Sequence, residues 1–442
     1  MTVTVEPPAV VKPVKLVDQF ALGLAAPICL TWELTYACNL ACVHCLSSSG
    51  RRDPRELTTA EAEAVIDELE RMQVFYVNIG GGEPTVRPDF WHLVDYATEH
   101  HVGVKFSTNG VRIDEAVAKR LASSDYVDVQ ISLDGATAAV NDNVRGAGSY
   151  DTALRAMQHL YQAGFTGFKI SVVVTRENVD QLDEFKAIAD RFKAQLRLTR
   201  LRPSGRGADV WEELKLFPAQ QRQLYDWLVA NGEQVLTGDS FFHLAAFGDA
   251  LPGLNLCGAG RVVCLIDPVG DVYACPFAIH DSFKAGSVRE AGGFQGVWRD
   301  SALFAELREP QNGGACKSCH FFDSCRGGCM AAKFFTGLPL DGPDPECVRG
   351  FGELALAEVN GPTPKPSLDH SHKNPLRSQQ IQLTRTSPPG QVDSPGQVGP
   401  SGSARRPVPI ALGVRPSTGV ISAPPTRGCD ENPLTGFSPP PP

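Results

Sequence analysis

The chain has 442 residues, with 42 glycines, 34 prolines and only 8% aromatic residues, so it is not uniformly globular and part of it must be loop or tail. A net charge of −9, from 41 basic against 50 acidic residues, argues against a phosphate-backbone binder, and no nucleic-acid partner is expected. No apolar run reaches the roughly eighteen residues of a membrane span, and the N-terminus, with Glu6, Pro7 and Pro8, lacks the basic and apolar regions of a secretion signal. The expectation is a cytoplasmic protein with no membrane contact.

In chain order, residues 1–27 are a proline-containing N-terminal extension with poor helix and sheet formers. From residue 28 to about 235, strand-like runs alternate with helical spacing. Apolar or β-branched runs at 28–35, 74–79, 102–106, 127–133, 168–174 and 196–201 predict strands. The periodicity predicts helices over 58–71, 89–100, 114–123, 149–163, 179–192 and 218–231, the first opened by Thr58 with Glu61 at the capping-box position. Strict alternation implies an α/β fold with a parallel sheet, and six units suggest an open, partial (β/α)6 barrel. Chemistry in such folds sits at the C-terminal strand ends, which directs attention to 38–45, 80–84, 107–110, 132–135, 175–178 and 200–207. Over 236–352 regular patterning fades while cysteine and glycine increase, as in a small second domain tied together by metal ligands. Residues 361–442 hold roughly half of the prolines, with Ser, Gly and Gln, and are expected to form a disordered tail.

The thirteen cysteines are an odd number in a chain without a secretion signal, so grouped, reduced thiols point to metal rather than disulfides. Cys38, Cys42 and Cys45 follow the first strand. Three thiolates at spacings of four and three suit three corners of an iron–sulfur cube with one iron left open, the alternative being a structural zinc site. His44 reads as a ring packed beside the cluster, Cys29 as core packing and Cys429 as an incidental thiol in the tail.

The Cys38-x3-Cys42-x2-Cys45 loop, followed by Gly81-Gly82-Glu83-Pro84 after the second strand, resembles the radical S-adenosylmethionine enzymes. The resemblance implies a [4Fe–4S] cluster whose open iron chelates S-adenosylmethionine. Glycines 81 and 82 would let backbone approach that cofactor, and Glu83 would accept a hydrogen bond from its ammonium group. It further suggests that Ser107, Asn109, Ser132 and Arg145 line the cofactor, each having a turn or cap role as its alternative. The later cysteines are similar to the seven-cysteine SPASM region of peptide-modifying members. By that resemblance Cys257, Cys275 and Cys329 hold one auxiliary cluster, and Cys316, Cys319, Cys325 and Cys347 a second. Cys264 either completes the first or is a small buried hydrophobe, and a zinc ribbon over 316–329 is the alternative for the later set.

Within that group the chain most resembles the mycofactocin maturases, through Leu30-Thr-Trp-Glu-Leu-Thr, Cys257-Gly-Ala-Gly-Arg and Gly327-Gly-Cys-Met-Ala-Ala-Lys-Phe-Phe-Thr-Gly. Sulfatase maturases carry an acid after the cysteine matching Cys275, where this chain has Pro276. The resemblance implies oxidative decarboxylation of the C-terminal Tyr of a ribosomal precursor peptide, then a carbon–carbon crosslink to the preceding Val. It also implies an electron donor. With only about 27 residues before the first strand, a separate small chaperone is expected to bind the leader peptide. The competing readings are another SPASM enzyme forming a thioether or Glu–Tyr crosslink, and a non-catalytic metal-stabilised binding module.

Overall fold

A computed structural model describes Phe20 and residues 23–237, 241–248, 251, 256–309 and 314–359. The proposed tail, Cys429 and most of the N-terminal extension lie outside the described residues. Six strands run parallel in chain order: β1 (Cys29–Thr35), β2 (Tyr76–Gly81), β3 (Gly103–Thr108), β4 (Val127–Ser132), β5 (Lys169–Val174) and β6 (Gln195–Arg200). Their register aligns one apolar row across the sheet, Leu30 opposite Val77, Val77 opposite Val104 and Val104 opposite Val127. Their apolar positions are buried, among them Leu30, Trp32, Val77, Val104, Phe106 and Val129, as expected of a parallel sheet covered on both faces. Helix Thr59–Arg71 begins with the capping box that Thr58 and Glu61 predict, and buries Ala62, Val65, Ile66 and Leu69 on its sheet-facing side.

The sheet does not end with these strands. Short β7 (Val235–Leu236) adds parallel to β6. On the opposite edge β8 (Val263–Ile266) pairs parallel to β1, with Cys264 opposite Leu30, and β9 (Asp271–Tyr273) and β10 (Lys284–Ser287) extend it antiparallel. The cysteine-rich segment thus adds strands to the same ten-stranded sheet. Its weak sequence patterning reflects strands of three or four residues, too short to display a period.

Helices Ala138–Arg145 and Gly207–Leu214 lie outside the helical segments that the sequence predicts. The first has two Asn and an Asp, poor helix formers. Tertiary bonds fix it: Asn141 is fully buried, accepts the Asp134 N–H at 2.9 Å and donates to the Ser149 hydroxyl at 2.8 Å. Cys29 opens β1 half-buried instead of packing inside the core, because it is Leu30 and Trp32 that face inward. Among the described residues no helix is long and apolar enough to cross a membrane.

Candidate active site

A cavity of about 260 Å³ opens at the C-terminal ends of the parallel strands. Its wall includes Cys38, Cys42 and Cys45 together with Gly81, Gly82, Glu83, Ser107, Asn109, Ser132 and Arg145. The strand ends of a parallel sheet gather these residues although up to 107 positions separate Cys38 from Arg145.

The thiol loop runs close against the glycine loop. Gly82 N–H donates to Thr35 O at 2.8 Å and Glu83 N–H to Ala37 O at 2.9 Å. A Cβ on Gly81 would stand 2.6 Å from Thr35 O, and one on Gly82 only 2.0 Å from Ala37 O. The two glycines therefore admit the neighbouring backbone while also lining the cavity, a close approach within the protein that the sequence does not show. Gly80 is different. It lines the cavity, and a Cβ there would meet nothing within 4 Å.

Glu83 is almost completely buried and its carboxylate is already occupied. Oε1 accepts the Thr85 hydroxyl at 2.6 Å and the Thr108 hydroxyl at 2.7 Å, while Oε2 accepts the Asn109 N–H at 2.7 Å. Burial pushes this carboxyl above its ordinary range, and those hydrogen bonds only partly offset it. Glu83 thus ties three loops together beneath the cavity. Asn109 Nδ2 donates to the side-chain oxygen Oδ1 of Asn39 at 2.8 Å, and the Ser107 hydroxyl accepts from Gln130 Nε2 at 3.1 Å.

Asp134 is a residue that sequence reasoning missed. It follows Ser132 in the turn after β4, is fully buried, accepts from His44 Nε2 at 2.6 Å and the Val173 N–H at 2.7 Å, and forms an ion pair with Arg145, whose Nε stands 2.7 Å from Oδ2. Burial alone would raise its carboxyl, but Arg145 and then His44 hold it well below the usual carboxylate range. His44 is consequently an anchored ring beside the thiol loop. Arg145 reaches from the same carboxylate to 4.0 Å from Cys42 Sγ. Burial pushes Cys38 up to about 12, with Cys45 and Cys42 adding to the shift, and also raises Cys42. Buried thiolates so placed need a counter-charge, and three of them around a cavity left open beside Gly80 suit an iron–sulfur cluster with a free corner.

In the later segment, burial first and then Cys329 and Cys257 push Cys275 up to about 12, which places those two cysteines near it. Cys264 is fully buried in the apolar core and raised well above its ordinary range by burial, within reach of Arg308 and Cys275. Cys316, Cys319, Cys325 and Cys347 all line a second cavity of about 370 Å³. The two thiol groups meet at Asp344, whose Oδ2 accepts the Cys329 N–H at 2.7 Å and whose carbonyl accepts the Cys347 N–H at 3.0 Å. Arg200, at the end of β6 in the first cavity's wall, donates to Asp344 at 2.6 and 2.9 Å and to Glu346 at 2.5 Å.

Comparison with known proteins gives the family and the fold. Residues 32–188 match the radical SAM superfamily and 257–320 an iron–sulfur cluster-binding domain, SPASM. The mycofactocin maturase MftC of Mycolicibacterium smegmatis is 75% identical over 364 residues, 82% of this chain and 93% of the relative. That of Mycobacterium tuberculosis is 65% identical over 422 residues, 95% and 98% of the two chains. Among solved structures, Streptococcus suis SuiB bound to S-adenosylmethionine superposes with a TM-score of 0.60 at 20% identity, covering 74% of this chain and 79% of that chain. AnSMEcpe with bound AdoMet gives 0.55 at 18%, covering 76% and 100%, and both show a shared fold.

Proposed function

Because this chain belongs to the mycofactocin maturases, a family of radical S-adenosylmethionine enzymes with a SPASM region, we propose that it is a peptide maturase acting on the C-terminal Val-Tyr of a ribosomal precursor. The observation that carries this reading is the single cavity in which the thiol trio, the glycine loop and Arg145 converge at the strand ends. In it Cys38, Cys42 and Cys45 would hold a [4Fe–4S] cluster, and Gly81, Gly82, Glu83, Ser107, Asn109, Ser132 and Arg145 would frame S-adenosylmethionine. The bound cofactor supplies a carbon radical able to take one hydrogen atom.

The net first reaction removes the tyrosine Cβ hydrogen, carbon dioxide and one further electron and proton, leaving an unsaturated styryl amide. The second joins that carbon skeleton to valine without net oxidation. This chain's residues hold the reactants and exclude water: the Asp134–Arg145–His44 set fixes charge beside Cys42, and Glu83 locks the loop opposite. The released electron has a short path out, since Pro276 and Phe277 of the cavity wall directly follow Cys275. Cys257, Cys264, Cys275 and Cys329 would hold one auxiliary cluster and Cys316, Cys319, Cys325 and Cys347 another. An external electron donor and a separate leader-binding chaperone complete the system.

The test is anaerobic turnover with reductant, with and without the chaperone, followed by mass spectrometry. Removal of carbon dioxide and two hydrogens lowers the peptide mass by about 46 Da, and the crosslink leaves that mass unchanged. A product about 2 Da lighter with its carboxylate retained would instead indicate another crosslinking chemistry. Equal turnover without the chaperone would remove it from the scheme.

A further inference from the structure

The wall of the cofactor cavity contributed by β6 and the loop after it is rich in arginine, and most of these side chains are already committed. Arg200 is consumed by Asp344 and Glu346. Arg206 donates to Cys42 O and Ser49 O, each at 2.8 Å. Across the cavity Arg145 belongs to Asp134. Arg202 stands apart. It is 7% exposed and lines the cavity, yet among the described residues it has no carboxylate partner and its Nε has no hydrogen-bond acceptor at all. Only Nη1 is used, donating to Arg200 O at 3.2 Å, and the guanidinium lies 3.7 Å over the ring of Phe277, another wall residue. Two residues on, the hydroxyl of Ser204 is also buried in this wall, 3% exposed and without a partner.

A buried guanidinium with an unmet donor is costly unless something pairs with it. A ring stacked on one face leaves the edge of the guanidinium, where its donors lie, to recognise a planar anion, and carboxylate is the matching shape. We infer that Arg202, with Ser204, forms a carboxylate-binding subsite that takes the C-terminal carboxylate of the peptide substrate. This rests on the reading above, in which the reacting residue is the terminal one. The other carboxylate expected in the cavity is that of S-adenosylmethionine, but Arg145, beside Cys42, is the guanidinium next to the thiol loop, whereas Arg202 stacks on the wall that follows Cys275. The subsite explains how a maturase selects the end of a chain: an internal tyrosine offers no anion for Arg202.

The experiment uses the reconstituted iron-loaded protein with S-adenosylmethionine and a synthetic precursor peptide ending in Val-Tyr, as the free acid and as the C-terminal carboxamide. Equilibrium binding should favour the acid by roughly tenfold or more, the ordinary worth of a charge-assisted hydrogen bond. Arg202→Gln should bring the acid-to-amide ratio to about one, Arg202→Lys should restore part of it, and Ser204→Ala should reduce it by a smaller factor. Should Arg202→Gln fail to load iron, Ser204→Ala and Arg202→Lys carry the test. A wild-type ratio near one, or a ratio that no variant changes, overturns the assignment. Weaker binding of S-adenosylmethionine by Arg202→Gln with the peptide ratio intact would overturn it too, giving the carboxylate to the cofactor. Binding ratios need no turnover, so failure to find the decarboxylated product would count against the proposed reaction and leave this result standing.

Discussion

In the parallel half of the sheet, the thiol loop after β1 is held to buried Asp134 through His44 and to the backbone N–H of Glu83 through Ala37 O, while the Glu83 carboxylate joins the loops after β2 and β3. In the cysteine-rich half, the segment from Cys316 to Cys347 has only short helices, and its main internal lock is Asp344, neutralised from outside by Arg200 of β6. One set of thiols is therefore positioned by an extended apolar core and buried ion pairs. The other depends on one imported charge and on the ligands it binds. The difference teaches that cluster occupancy and folding should be separable in the first half and coupled in the second.

The largest expected contrast is in the thiols themselves. Cys42→Ala should reduce 5′-deoxyadenosine formation below detection while iron in the later region stays, because the surrounding loops keep their bonds. Cys319→Ala should lower bound iron and peptide product and also destabilise the later segment, seen as faster limited proteolysis there. Reductive cleavage of the cofactor by Cys42→Ala at the parental rate would break the assignment, and full iron content in Cys319→Ala would break the comparison.

Next is the shared charge. Arg200→Met leaves Asp344 and Glu346 buried with no cation among the partners given above, at a cost of about 3–5 kcal/mol. The loss should fall on the cysteine-rich half, so that iron and sulfide analysis finds the proposed auxiliary clusters depleted before the first. Gly82→Ala should act on the opposite half by a comparable mechanism of forced displacement, about 1–3 kcal/mol, since its methyl group would overlap Ala37 O. Equal damage to both halves by either variant would show that the two do not unfold separately.

The two locking carboxylates differ in sign. Asp134 is held below its ordinary range, so its contribution is complete above about pH 4 and is lost only as pH falls through its folded-state value. Glu83 is raised, so it adds stability below about pH 4.3 and loses it as pH rises through its higher folded-state value. Denaturant unfolding should therefore show a stability decline with rising pH that Glu83→Gln flattens, by at most about 1.4 kcal/mol per pH unit. Asp134→Asn should instead lower stability near pH 7 by about 3 kcal/mol, removing the counter-charge of Arg145, without changing that slope.

Much of this layout is legible in the sequence. The six parallel strands show as apolar or β-branched runs, the thiol trio and Glu83 follow the ends of the first two, and Arg145 closes helix Ala138–Arg145 after the fourth. What escapes the sequence is long-range. Asp134 looks like a turn residue until Arg145 and His44 arrive at it from positions 11 and 90 residues away. The short strands β8 to β10 have no period of their own and exist because β1 has a free edge to pair with. Arg200 and Arg202 alternate on one strand end, and nothing in their spacing tells which is neutralised by Asp344 and which keeps an unmet donor.

The same limit applies to the glycines, and it yields the smallest effect. Gly80, Gly81 and Gly82 are identical in sequence, yet only the last two are pressed against backbone, while a Cβ at Gly80 would enter open cavity. Gly80→Ala should therefore leave the fold intact or stabilise it by about 0.5–1 kcal/mol, because alanine in a strand loses less backbone entropy than glycine. Its methyl group would instead displace bound cofactor. A single carbon in a fitted pocket is worth about 1–3 kcal/mol, so affinity for S-adenosylmethionine should fall roughly 10- to 200-fold, with thermal stability and iron content as the controls. Unchanged affinity would mean that the cofactor lies away from this wall, and lost stability would mean that all three glycines serve the backbone.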